Sequence, residues 1–338
     1  MTNLTNTEVV ASLGLPADIV EKLATAQGEE FQVTANQFIS TLINKIVYSK
    51  VDKMEFSNPF KKFEGFPVRY GDTIENIFTE VPQGYTFDKD ATDPFAKKIP
   101  SVKVLYASIN YEMQYETTIQ DALLRRAALN EYGFMQLIES ILANMGTRKS
   151  VDEYTATIRM LNNEDLYADG FEEVDVSAMS TDTEKYKAIT QKMIDVVTDF
   201  ALPCVDNNAL KVLNVARRED VLLIVKQSLL NHINLDFLSG VFNLSKVDLI
   251  KQIIPVRSFK TIAPDDEHAE EVGEDLDFII LDTKGFDIHP ALEDSGMIYN
   301  PKGKYTNHFT NSWKIISYKY FHNARAFKVK YEAEQVGE

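Results

Sequence analysis

The sequence predicts an α+β fold in which a body of mixed sheet and helices carries one long, strand-flanked arm. Three observations lead there. The stretch from Ser57 to Asp121 has no helical period, and it closes on Ile109-Asn110-Tyr111-Glu112-Met113-Gln114-Tyr115, where apolar and polar residues alternate with the period of a half-buried strand. Two later stretches, around residues 134–145 and 186–200, repeat apolar residues at helical spacing. Between residues 171 and 256 strand and helix signals take turns, the pattern of a mixed sheet with helices on its faces.

Composition sets the outer bounds. A chain of 338 residues with 44% hydrophobic content can bury a sizeable core and ordinarily makes about two domains. No apolar run approaches the roughly 18 residues that span a bilayer, and Met1-Thr2-Asn3 opens no basic, apolar leader, so a cytoplasmic location is expected. The single cysteine, Cys204, excludes an intramolecular disulfide and a cysteine-rich metal site. A net charge of −16 argues against a surface that grips nucleic acid, where affinity comes from cations that neutralise phosphates. It suits a wall that encloses DNA without binding its sequence.

Taken in order, residues 6–27 suggest two short helices broken at Gly14-Leu15-Pro16. Thr34 and Gln37 form a capping box for a helix whose apolar face carries Phe38, Leu42 and Ile46. The arm follows. Nine aromatic residues fall between Phe56 and Phe95, and turn signals recur at Gly71-Asp72, Pro82-Gln83-Gly84, Asp93-Pro94 and Ile99-Pro100. A two-stranded arm cannot cover both its faces, and each large side chain left bare forgoes roughly 1.5–3 kcal/mol. Two placements are open: back on its own body, or on a copy of the same chain. The second is the reading adopted.

Beyond the arm, Gly146 stands where a helix C-terminal glycine belongs, and Ser150 with Glu153 forms a capping box that starts a new helix. A strand is expected over Phe171 to Val176, then a helix after Thr181 that ends before Pro203. A strand over Val212 to Ala216, a helix from Glu219, a helical stretch near Leu235 to Leu244 and a strand over Gln252 to Val256 come next. Short strands are expected at Phe278 to Leu281 and Phe286 to His289. The final alternation of Phe327, Val329 and Tyr331 against Lys328 and Lys330 reads as an edge strand guarded by its lysines.

Little of the chain points to catalysis. His232, His268, His289, His308 and His322 include no pair three or four apart, there is no phosphate-cradling glycine loop, and no Gly-x-Ser-x-Gly elbow appears. Eight carboxylates crowd Asp265 to Asp277, the pattern of a self-repelling solvated loop. They are also the basis of the alternative function, a soluble metal-dependent hydrolase, although calcium-loop spacing is absent.

Several strings in the arm carry a resemblance: Asn58-Pro59-Phe60-Lys61-Lys62-Phe63, Gly71-Asp72-Thr73-Ile74-Glu75-Asn76-Ile77-Phe78-Thr79-Glu80, Ile99-Pro100-Ser101-Val102-Lys103-Val104-Leu105 and Thr117-Thr118-Ile119-Gln120-Asp121. A late block adds Asn300-Pro301-Lys302-Gly303-Lys304-Tyr305, Trp313-Lys314-Ile315-Ile316-Ser317 and Phe321-His322-Asn323-Ala324-Arg325-Ala326-Phe327. In order and spacing these resemble the phi-29-like podophage major capsid proteins. The resemblance implies the Hong Kong 97-like capsid fold: an N-terminal arm and helix over residues 1–53, an extended loop over 54–115, a peripheral domain with a long spine helix over 116–178 and 300–338, and an axial domain over 179–299.

It also implies the function, a head protein that self-assembles through pentamers and hexamers into the icosahedral or prolate shell around a double-stranded DNA genome, with no catalytic residue, cofactor or metal. The implied partners are further copies of the chain, a portal protein and head fibre proteins, and the implied setting is the virion, assembled in the host bacterial cytoplasm. With about fifty residues before the arm, a separate scaffolding protein is expected rather than a fused one. Family members can carry an immunoglobulin-like domain after the shell domain; this chain ends at Glu338, and no function of such a domain is carried over. The expected subunit-interface residues are Phe60, Phe63 and Phe66 as apolar anchors, with Lys61, Lys62, Lys97 and Lys98. Some shells of this fold join an arm lysine to a neighbour's asparagine, here Asn300 or Asn323, but phi-29-like shells are not generally of that kind.

Overall fold

A computed structural model of the chain describes residues 56–69, 71–84, 99–121, 133–233, 252–262 and 271–331, with single positions at 25, 33, 86, 89 and 97 and backbone alone over 133–143. The helices expected before residue 48 and the helical stretch near 235–244 lie outside these residues. Among the described residues no helix is long and apolar enough to cross a membrane. The chain divides into two compact units, one of residues 1–58, 111–153 and 291–313, the other of 59–110, 154–290 and 314–338.

The larger unit is built on a five-stranded sheet. Strands β4 (Phe171–Asp175), β5 (Val221–Lys226), β6 (Ile253–Val256), β7 (Phe278–Asp282) and β10 (Ala324–Lys330) lie in the order β4-β10-β7-β5-β6. β10 runs parallel to β4 and antiparallel to β7, and β5 runs antiparallel to β7 and parallel to β6. β7 is buried at every residue, and β5 is buried from Val221 to Val225, as expected of central strands covered on both faces.

Helix α2 (Asp182–Phe200) lays Ile189, Met193, Val196, Val197 and Phe200 against Val221, Leu223, Phe278, Ile280 and Phe327, with the Phe278 and Phe327 rings stacked at 4.6 Å. Its start is fixed by Thr181, whose hydroxyl accepts from the Glu184 amide while the Glu184 carboxylate accepts from the Thr181 amide.

The smaller unit centres on parts of a second sheet. β3 (Tyr111–Gln120), β8 (Phe286–Asn300) and β9 (Tyr305–Tyr318) form the order β3-β9-β8. Side-chain bonds from Gln114 to Asn311 and from Thr118 to Asn307, both 2.8 Å, mark β3 and β9 as antiparallel. Tyr111, Tyr115 and Ile119 are the buried residues of β3, and the Tyr111 and Tyr115 hydroxyls meet at 2.8 Å. Burial pushes both phenols well above their ordinary range.

Several expectations are corrected. Residues Gly133–Leu161 form one continuous helix, α1, so Gly146 ends nothing. The Glu153 carboxylate, needed for a capping box with Ser150, is buried and instead accepts from the Ser312 hydroxyl at 3.2 Å and faces Lys149 at 3.8 Å. The helix expected from Glu219 is a single 3-10 turn, Arg218–Asp220, followed by β5. Five successive apolar residues fit a doubly covered strand as well as a buried helix. Residues 212–216 form no strand and pair only at the Cys204 to Asn214 bridge.

β10 is no edge: it lies between β4 and β7, and its lysines engage carboxylates, Lys328 with Glu274 at 2.8 Å and Lys330 with Glu173 at 3.6 Å. β8 is also far longer than expected and turns into β9 at 301–304. There the Asn300 carboxamide oxygen accepts from the Lys302 and Gly303 amides, and its amino group donates to the Tyr305 hydroxyl.

Candidate functional site

The extended loop of the larger unit starts in a 3-10 turn, Pro59–Phe63. Three residues per turn puts Phe60 and Phe63 on one side, and both meet Phe286 at the start of β8. Phe60 is 1% exposed, its ring between Tyr154 at 5.8 Å and Phe286 at 5.9 Å. Phe63 stacks on Phe286 at 4.5 Å, and the Lys62 ammonium lies 4.9 Å over the Phe63 ring. The next residues run along β8 as a short parallel addition. Glu64 bridges Ile288, the Gly65 amide donates to the Ile288 carbonyl at 2.8 Å, and the Val68 amide donates to the Pro290 carbonyl at 2.9 Å. Gly65 is required here, since a Cβ would lie 2.5 Å from Cε1 of His289.

Two buried polar residues of β8 fasten the loop. His289 Nδ1 lies 2.8 Å from the Phe66 carbonyl and Nε2 lies 3.3 Å from Asp287. The other Asp287 oxygen accepts from the Asn76 amide at 2.7 Å, and Lys319 stands 3.7 Å from the carboxylate. Glu64 meets the buried ammonium of Lys314 at 3.3 Å. After Gly71, in the left-handed region at φ 84°, the chain enters β1 (Ile74–Thr79), which pairs antiparallel with β2 (Val102–Ala107) from Ile74 opposite Ala107 to Thr79 opposite Val102.

The hairpin has two unlike faces. Ile74, Asn76 and Phe78 with Lys103, Leu105 and Ala107 make the inner one, where the Phe78 ring stacks on Phe321 at 5.1 Å. The outer face pairs Glu75 with Tyr106, Ile77 with Val104 and Thr79 with Val102. Ile77 is 59%, Tyr106 70%, Val102 50% and Val104 39% exposed, an apolar sheet face open to solvent. The Tyr106 hydroxyl donates to Glu75 at 2.9 Å, a bond that raises its pKa.

The candidate interface residues therefore divide. Phe60 and Phe63 pack on their own chain, while Lys61, Lys62 and Lys97 are exposed and Phe66 is 65% exposed with its ring 4.5 Å from His289. Lys98 and the aromatics Tyr70, Tyr85, Phe87 and Phe95 lie outside the described residues. The apolar residues of the outer face were not singled out, although alternation at 74–79 and 102–107 was a usable signal. Asn300 is engaged in its turn and Asn323 is fully buried.

Three carboxylates of the acidic run are ion-paired: Lys226 meets Asp275 at 2.7 Å and Asp277 at 3.2 Å, and Lys328 meets Glu274. Among the described residues no three metal-ligating side chains gather. His232 stacks on Tyr186 at 4.4 Å, and His322 faces Asp282 at 2.8 Å. Burial pushes the imidazole of His308 down to about 4. The alternative hydrolase finds no support.

Comparison with known proteins bears on the same question. The chain is 25% identical to the major capsid protein of Bacillus phage PZA, with 96% of this chain and 76% of that protein covered. It is 27% identical to the major capsid protein of Bacillus phage B103, covering 88% of this chain and 64% of that protein, and 23% identical to that of Streptococcus phage Cp-1, covering 91% and 86%. Among solved structures, the capsid of Staphylococcus phage Andhra superposes with a TM-score of 0.63 over 83% of this chain and 86% of that one at 12% identity. A chain of the bacteriophage P68 head fibre and inner core protein gp22 structure gives 0.63 at 11% identity over 83% and 86%, and the mature capsid of PhiM1 gives 0.58 at 10% over 83% and 90%. These neighbours share the Hong Kong 97-like capsid fold. The family model of the Phi29-like phage major capsid protein matches residues 15–328, and this chain belongs to that family of structural shell proteins.

Proposed function

We propose that the chain builds its shell by laying the outer face of the β1–β2 hairpin on a neighbouring copy. The observation that carries this reading is the asymmetry of the hairpin: one face sits on its own unit through Asn76 and Phe78, and the other leaves Ile77, Val102, Val104 and Tyr106 bare. Phe60 and Phe63 root the loop, while Phe66, Lys61, Lys62, Lys97 and Lys98 face the neighbour and meet its carboxylates.

The rest of the proposal follows the family. Residues 1–53 serve as N-terminal arm and helix, 54–115 as extended loop, 116–178 and 300–338 as peripheral domain, and 179–299 as axial domain. Copies assemble as pentamers and hexamers in the host cytoplasm, guided by a separate scaffolding protein and closed by a portal protein. Head fibre proteins attach to the finished head. The net charge of −16 supports enclosure of DNA without sequence-specific binding.

The test is the double variant Ile77→Asp, Val104→Asp, two exposed positions whose change leaves the core untouched. Folded subunits that form no particles by electron microscopy are the expected result; particles at the wild-type yield would refute the docking.

A further inference from the structure

We infer that His289 is a proton-operated latch that holds the extended loop on its own unit, fastened while the imidazole carries two protons and loosened when it gives one up. The latch rests on the shell-building reading above, because the loop it holds carries the hairpin whose outer face docks. Nδ1 of His289 lies 2.8 Å from the Phe66 carbonyl oxygen, and Nε2 lies 3.3 Å from Oδ1 of Asp287. Asp287 serves as acceptor on both oxygens: Lys319 stands 3.7 Å from Oδ1, and Asn76 donates to Oδ2 at 2.7 Å. Both ring nitrogens therefore face an oxygen that has no proton to give. A neutral imidazole owns one N–H, so either tautomer turns a bare lone pair on an acceptor, at a site only 7% exposed. The doubly protonated ring donates to both.

The seat is shaped around this ring. A Cβ at Gly65 would lie 2.5 Å from Cε1 and 2.9 Å from Nδ1, so the loop backbone lies directly against the imidazole, and the Phe66 ring stands over it at 4.5 Å. The surrounding charges keep their partners in either protonation state. Glu64 on the loop is answered by Lys314 of β9 at 3.3 Å, and Asp287 retains Lys319 and Asn76. What changes is the link between strand and loop. The one proton of a neutral ring can serve Asp287 or the Phe66 carbonyl, never both.

The sign of the pH dependence follows. When the loop lifts, the ring meets water and titrates where a free imidazole does, at about 6.5. The seated loop favours the protonated ring, so above that pH seating takes up a proton. The seat is at full strength below the ordinary imidazole range and weakens as pH rises, by up to about tenfold per pH unit. A subunit in mildly acidic solution thus holds its hairpin fixed on its own body, and alkali frees the root of the loop.

The test is amide exchange in the unassembled full chain. The Gly65 and Val68 amides, bonded to the Ile288 and Pro290 carbonyls at 2.8 and 2.9 Å, report the seat, while the amides of the fully buried β7 report the sheet. From about pH 6 to about pH 8, after correction for intrinsic rates, protection at Gly65 and Val68 should fall about tenfold or more while β7 holds, and His289→Gln should abolish the fall. Ring-nitrogen NMR of the histidine-labelled wild type, which needs no variant, should show both His289 nitrogens protonated while the loop is protected and one proton lost as protection is lost. Protection that ignores pH, a fall that persists in His289→Gln, or a singly protonated ring under a fully protected loop overturns the latch and leaves the docking of the hairpin face standing. A latch that behaves as described in a chain whose Ile77→Asp, Val104→Asp variant still forms particles upholds the latch and overturns the docking.

Discussion

Replacing Phe60 by Ala separates the two roles open to the loop root. The side chain is 1% exposed and sits between two rings at 5.8 and 5.9 Å, so truncation removes a complete aromatic from a packed seat. Large-to-small changes of this kind cost about 3–5 kcal/mol, transfer and cavity terms together. For a chain of this length that lowers the melting temperature of the unassembled subunit by about 4–7 °C. Phe60→Leu refills most of the cavity and should recover more than half of the loss. Scanning calorimetry on subunits held below the assembly threshold reads the shift directly. A Phe60→Ala subunit that melts with the wild type yet forms no particles would refute the argument, since that is how a residue anchored in a neighbour behaves.

Gly65→Ala should push the His289 ring aside, break its contact with the Phe66 carbonyl and raise amide exchange over 64–68 by at least about tenfold relative to the wild type. Lys314→Met leaves Glu64 without its cation and should cost about 2 kcal/mol by urea denaturation, with Glu64→Gln in the same chain recovering part of it. The depressed pKa of His308 means that the unfolded chain takes up a proton below about 6.5 while the folded chain does not until about 4. Stability should therefore fall as pH drops through that window, and the His308→Phe chain should show a shallower fall.

How far the sequence was legible depended on the range of the cause. β3, β4, β7 and the helix after Thr181 were readable because alternation and helical period are local signals. Ser150 and Glu153 offered capping-box spacing, yet Ser312, 159 positions further on, takes the Glu153 carboxylate. The density of aromatics located the arm but not which of them faces out, because a 3-10 turn eclipses Phe60 and Phe63 and Phe286 waits 223 residues beyond Phe63. Asp287 and His289 were not read as fastening the loop, although two polar residues alternating with Phe286 and Ile288 at the buried start of β8 were a visible anomaly. Strand order is never local: nothing in residues 324–330 says that β4 will cover the side the lysines were expected to guard.

The energetics of the hairpin explain why its outer face is only modestly apolar. Ile77, Val102, Val104 and Tyr106 are between 39% and 70% exposed, so a neighbour that covers them recovers roughly half the value of full burial, about 1 kcal/mol each. Four such side chains give about 4 kcal/mol, which for an isolated contact corresponds to millimolar affinity. One hairpin alone cannot hold a subunit at physiological concentration, and a misplaced subunit held by one contact leaves quickly. On the proposed docking, a subunit in its proper place is gripped by its own loop and by the loop of a neighbour, and these weak contacts multiply. Strengthening the outer face, for instance with Thr79→Ile opposite Val102, should therefore trap aberrant particles rather than improve heads.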